Sequence, residues 1–237
     1  MGLYDRDYVR GREQGFFLGG PRTAVTDLII VNVFIFVLDL FSEGWLDQMF
    51  SLKYDLFEHP WQCYELLTYG FLHDRSMMAH IVFNMFGLWL FGRDMESLYG
   101  RREFLRIYVS LVVLSGIVWA GMQYALMSLG RAPTAGSVVG ASGAVVGIMV
   151  LYTTYYPQRI FLMLGFLPMP VWLICVLSLI GDVTYGAAHH VAYQAHLAGA
   201  AFGLIYRQTG LNWGRIFSGH WSRKLRLPRR AQLHVHQ

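Results

Sequence analysis

The sequence predicts an all-α integral membrane protein, a bundle of six transmembrane helices with both termini in the cytoplasm. Three observations predict it. The first is composition: of 237 residues, 55% are hydrophobic and only 14% charged, against about 25% charged in an average soluble domain. A soluble chain of this length cannot bury that much apolar surface in one core. The same figures exclude a disordered chain, a collagen-like repeat and a disulfide scaffold, for which two cysteines, Cys63 and Cys175, would be too few. The second observation is a series of six apolar stretches, each near the roughly 20 residues that cross a bilayer. The third is the placement of the basic residues, 16 of 19 of which fall on one side of the alternating spans.

The first span covers residues 23–41, with Asp27 and Asp39 near its ends. It is long for a signal peptide and has no small-x-small cleavage pattern, so it reads as an uncleaved span after a cytoplasmic segment, 1–22. The loop 42–76 mixes Trp45, Phe50, Tyr54, Phe57, Trp61, Tyr64, Tyr69 and Phe71 with acids, an aromatic density that fits the external headgroup zone. The second, third and fourth spans cover 77–92, 107–129 and 140–156. Pro168 and Pro170 interrupt the next run, and proline is best tolerated in a helix's first turn. The fifth span therefore starts near Pro170 and passes Asp182 toward Tyr185, with 161–167 left at the interface. The sixth covers 191–206, which makes 23–206 one membrane domain followed by a basic tail, 207–237.

Orientation follows from Lys and Arg. The N-terminal segment holds Arg6, Arg10, Arg12 and Arg22, and the second loop Arg93, Arg101, Arg102 and Arg106. Arg159 lies in the fourth loop and seven more basic residues lie in the tail. Only Lys53, Arg75 and Arg131 fall on the other side. The tail then reads as an anchor beside anionic lipid, with no nucleic-acid partner expected.

Polar residues inside spans are costly and are functional candidates. The second, fourth and sixth spans all run inward, and each carries a polar residue close to its outer start: His80, Ser142 and His196. The three therefore share one depth. His80 and Asn84, at i and i+4, lie on one helix face. Ser142 sits in Gly140-Ala141-Ser142-Gly143, followed by Gly147, and His196 is followed by Gly199 and Gly203. Gly143 with Gly147, and Gly199 with Gly203, are small-xxx-small pairs that let helix backbones approach. Packed together, they would bring Ser142 within reach of His196, the usual base for a serine hydroxyl. Taken singly, such a serine most often bonds back to its own helix, and a histidine or asparagine most often joins helices.

These residues resemble the rhomboid family of intramembrane serine proteases, over about residues 60–206. Gly140-Ala141-Ser142-Gly143 is similar to the G-x-S-G nucleophile motif, and Ala195-His196 with Gly199 and Gly203 to A-H-x-x-G-x-x-x-G. His80 to Asn84 is similar to H-x-x-x-N, Gly92 to Glu96 to G-x-x-x-E, and 66–73 to the approach to the second helix. The resemblance implies Ser142 as nucleophile and His196 as base, in a dyad without a carboxylate. It implies an oxyanion hole from the Ser142 amide, His80 and Asn84, and Glu96 bracing the second helix, with Arg101 or Arg102 as its partner. Asp182 is the nearest candidate for a third member and is read as structural. Two departures stand out: Val146 occupies the place of an aromatic that often stacks on the histidine, and His73 lies about two residues further from His80 than usual.

The implied function is a serine endopeptidase that cleaves transmembrane or membrane-anchored proteins near the outer face of the bilayer. The implied location is a bacterial inner membrane. The alternative is an inactive rhomboid-like protein that binds and escorts membrane proteins. Relatives of that kind lack the serine or the histidine, and this chain keeps both. A small transporter would place its polar residues near the midplane and carry a repeat. No cofactor is implied and no oligomeric state follows. No metal is expected either, since H-E-x-x-H does not occur and His189-His190 alone make a poor site.

Overall fold

The computed structural model describes residues 22–163, 165–189, 192–213 and 216. The expectations for the segment before residue 22 and for most of the basic tail lie outside the described residues. Helix α1 (Ala24–Phe41) opens the described chain. Its free amides are met from two sides: Thr23 Oγ1 accepts from Thr26 N, and Glu96 accepts from Ala24 N at 2.7 Å and Val25 N at 2.9 Å. The loop that follows carries a short helix α2 (Trp45–Phe50), the strand β1 (Leu52–Lys53), a 3-10 turn at Pro60–Gln62, α3 (Glu65–Thr68) and another at Tyr69–Phe71.

Helix α4 (Met78–Tyr99) runs seven residues past the expected end at 92. Arg93, Asp94 and Glu96 break the apolar run without breaking the helix, because charged residues other than those at a turn cost a helix little. Gly100, at φ +81, ends it, and α5 (Arg101–Ser128) starts at once, six residues before 107. The expected second loop is thus a single glycine. Strand β2 (Ser137–Val138) pairs antiparallel with β1 and ties the loop before α6 (Ser142–Tyr155) to the long first loop. The expected interfacial stretch 161–167 is a hairpin of β3 (Ile160–Met163) and β4 (Leu167–Pro170). Helices α7 (Val171–His189) and α8 (Tyr193–Thr209) complete the fold.

Helix α6 is the central element, packed against α4, α5 and α8. Its Gly143, Ala144, Gly147, Ile148 and Leu151 are all buried. The outer faces of α1, α4 and α7 are apolar and exposed, as at Phe34, Phe83 and Ile180. Helices α1 and α5 are long and apolar enough to cross a bilayer on length and composition alone, while α6 and residues 171–184 form shorter apolar helices. At one end of the bundle Arg101 reaches Asp27 at 2.6 Å and the Arg22 carbonyl at 2.9 Å, and Arg159 reaches Asp94 at 2.6 Å. At the other end Arg75 lies 3.5 Å from Asp39, and Lys53 pairs with buried Glu65.

Candidate active site

Close backbone approach between α6 and α8 builds the site. A Cβ on Gly199 would run into the Gly143 carbonyl oxygen, and one on Gly203 into that of Gly147. One on Gly147 would lie 2.8 Å from the Gly199 carbonyl oxygen, and one on Gly143 2.8 Å from Ser115. Only glycines let these backbones touch. Ser142 and His196 stand at the adjoining ends of the two helices. Gly140 positions the serine: at φ +127 it turns the chain into α6 in a conformation other residues avoid. Its amide donates to the Tyr69 carbonyl at 2.9 Å, and a Cβ there would lie 2.8 Å from His80 Nε2.

His196 Nε2 lies 2.7 Å from Ser142 Oγ. At this distance the ring can take the hydroxyl proton and turn a weak nucleophile into a strong one. His196 is largely buried, so little water competes for that bond. Ser142 is the first residue of α6, and its amide has no acceptor within the helix.

Both residues line a cavity of about 790 Å³ that also takes in His80, Asn84, Asp182, Ser178 and, deeper, Gly87, Val145, Val146 and Met149. All four residues of the expected site therefore face one space. Within it, the Asp74 amide donates to His80 Nδ1 at 3.3 Å. In the neutral ring this leaves the proton on Nε2, the atom beside Gly140. Asn84 Nδ2 donates back to the His80 carbonyl at 2.9 Å, which engages one of its two N–H groups within its own helix. His73 is buried with its ring centroid 5.2 Å from that of His80. Burial, and secondarily the neighbouring His80, push the His73 pKa down to about 3. The Ser76 hydroxyl and amide hold the Asp74 carboxylate below its usual range.

Two expectations need correction. Glu96 lies away from the cavity, and its partner is the N-terminus of α1; Arg101 pairs with Asp27 instead. Helix N-termini favour a carboxylate, because their amides are unpaired and the dipole is positive there. Asp182, read from sequence as structural with no acid beside the dyad, has Oδ2 at 3.1 Å from His196 Nδ1. The contact lies off the line of an Nδ1–H bond, so it is an ion-pair distance without a formed hydrogen bond. The signal for it was an aspartate in an apolar span; its partner was not readable. No aromatic ring stacks on His196 among the described residues, and Val146 lines the cavity without one. Among the described residues no three His, Cys, Asp or Glu are grouped to hold a metal.

The fold and site define a helical bundle with a serine and a histidine paired at one end of a tight helix crossing. Residues 60–213 match the family model described as the rhomboid domain. The chain belongs to the rhomboid family and is an integral membrane protein. It is 29% identical to RHOMBOID-like protein 12, mitochondrial, of Arabidopsis thaliana, over 93% of this chain and 62% of the relative. It is 26% identical to Rhomboid protein 1, mitochondrial, of Saccharomyces cerevisiae, over 81% of this chain and 54% of the relative. Rhomboid-related protein 4 of Homo sapiens is 30% identical over 56% of this chain and 42% of its own length. The chain thus spans roughly half the length of these relatives. Two of the three are named mitochondrial, so they lend no support to a bacterial inner membrane.

Proposed function

We propose that this protein is an intramembrane serine endopeptidase acting on transmembrane protein substrates within the bilayer. Ser142 attacks the scissile carbonyl while His196 takes its proton and later returns it to the leaving amine. The Ser142 amide, His80 Nε2–H and the free N–H of Asn84 stabilise the oxyanion. The observation that carries this reading is the 2.7 Å contact between His196 Nε2 and Ser142 Oγ beside a cavity large enough for a peptide segment. Six spans, formed by α1 and α4–α8, cross the bilayer within 23–206, with 1–22 and 207–237 on the cytoplasmic side. In support, Arg101 and Arg159 make their ion pairs at the end of the bundle away from Ser142.

The test is labelling by a serine-directed fluorophosphonate together with cleavage of a membrane-spanning test substrate. The wild-type chain labels and cleaves; Ser142→Ala and His196→Ala do neither, with losses that do not add because the two residues act as one unit. Turnover retained in Ser142→Ala refutes the reading. A wild-type chain that binds the substrate without labelling points instead to an inactive protein that escorts membrane proteins.

A further inference from the structure

We propose that Asp182 is a positioning residue for His196, so that the Ser142–His196 pair works as a Ser–His–Asp arrangement with its acid supplied by α7. The inference rests on the hydrolase reading above and adds a third member to it. A carboxylate within an apolar span is costly, so its place calls for a partner. That partner is His196: Asp182 Oδ2 lies 3.1 Å from Nδ1, and among the described residues Asp182 makes no other ion pair or hydrogen bond.

The rotation of α7 supports this. Its outward side is apolar and exposed at Trp172, Val176, Ile180 and Val183. Val171 and Cys175, at i and i+4, are buried, and Ser178 and Asp182, at i+7 and i+11 on the same stripe, line the cavity. Among the described residues nothing else contacts Nδ1 from that side. Among the described residues His196 Nδ1 has no hydrogen-bond partner and no ring stacks on it, and the residue one turn beyond Ser142 is Val146.

The chemistry follows from which ring nitrogen carries the proton. A carboxylate facing Nδ1 favours the tautomer with hydrogen on Nδ1 and the lone pair on Nε2, aimed at Ser142 Oγ. When the serine attacks, its proton passes to Nε2, and the imidazolium that forms lies beside a fixed negative charge. The carboxylate takes no proton; the proton leaves from Nε2 to the departing amine. Asp182 Oδ2 stands 3.1 Å from Nδ1 without a formed hydrogen bond, and Asp182 lines the cavity. Such bonds are often poorly aligned until substrate is bound.

The experiment uses the full chain in one detergent or bilayer system, with Asp182→Leu, Asp182→Asn and Asp182→Glu. Leucine suits a span, so Asp182→Leu folds at least as well as wild type. We expect its fluorophosphonate labelling and its kcat to fall about 10- to 1,000-fold, below the largest losses seen for a triad acid, with KM within about threefold. Asp182→Glu, with a longer reach to the same nitrogen, recovers part of the rate, and Asp182→Asn falls between. A second measurement is independent of turnover: ¹⁵N-histidine spectra, assigned by difference with His196→Ala, report the tautomer. They give Nδ1–H in wild type and a mixture in Asp182→Leu. Wild-type labelling, kcat and tautomer in Asp182→Leu overturn the proposal and leave the hydrolase reading standing. An unlabelled wild-type chain removes the hydrolase reading, whereas the tautomer result still decides whether Asp182 orients His196.

Discussion

Replacing Gly199 by alanine puts a methyl group where the Gly143 carbonyl oxygen already stands. Real Cβ atoms essentially never come within 3.0 Å of another heavy atom, so α6 and α8 must part. The movement is on the order of 1 Å, because packed interiors have no slack to absorb it locally. The Ser142–His196 contact of 2.7 Å joins the same two helices within a turn of that point. Lengthened by about 1 Å it leaves hydrogen-bond range. Misplacing reacting groups by that much costs about 100-fold in rate, and overpacking costs about 1–3 kcal/mol in stability. The assay is the fluorophosphonate labelling rate and the thermal midpoint of each variant in the same detergent. Gly147→Ala, whose methyl would stand 2.8 Å from the Gly199 carbonyl oxygen and 2.7 Å from Leu111, should show a milder loss of both. Gly121→Ala is the control. It lies in α5 with nothing within 4 Å of its Cβ position, and gains about 0.5–1 kcal/mol of helix stability without touching activity. A Gly199→Ala protein that labels and melts like wild type refutes the argument that this contact sets the register of the site.

Three further outcomes follow from the same geometry. His80→Ala should lower kcat about 10- to 1,000-fold with KM little changed, since the charge it meets exists only in the transition state. Asn84→Ala should cost less, because one of its N–H groups is already held by the His80 carbonyl. Wild-type labelling and cleavage in both would return these residues to helix packing. His73 makes stability sensitive to acid. Its folded pKa of about 3 is far below the ordinary 6.5, so the unfolded chain binds the proton first. The stabilisation is complete above pH 6.5 and is lost as pH falls toward 3, at up to about 1.4 kcal/mol per pH unit. In His73→Gln the thermal midpoint should fall less steeply over that range, and an unchanged slope would clear His73 as its source.

The part of the site on α6 and α8 was legible because helix period converts spacing into faces. Glycines four apart beside Ser142 and just after His196 could only form one stripe each, and a stripe of glycines has few uses other than close approach. The meeting of His80, Ser142 and His196 at one cavity was legible for a similar reason: runs that alternate in direction bring the starts of the second, fourth and sixth to the same end. Both inferences use local order alone. What local order cannot carry is the meeting of loops. The β1–β2 pairing, the Gly140 amide on the Tyr69 carbonyl and the Asp74 amide on His80 join segments distant in sequence through backbone groups that every residue possesses. The ends of α4 and α5 were misplaced because hydropathy measures what lipid tolerates, whereas a helix ends where its backbone bonds end, here at Gly100.

Asp182 marks the boundary between these cases. Its place within an apolar span was visible, and so was its cost. The direction it faces was not, because α7 is apolar on nearly every side and a helix without a polar face has no readable rotation. Packing settles the rotation: Val171 and Cys175 are buried while Trp172, Val176 and Ile180 are exposed, and that choice turns Asp182 toward His196. A polar residue thus contributes little to predicting how its helix is turned, yet once neighbouring helices fix the turn it acquires one specific partner. The acid beside a histidine in such a bundle is legible only after the lipid-facing side of its helix is known. For this chain, that makes the orientation of α7, more than any motif, the feature on which the third member of the site depends.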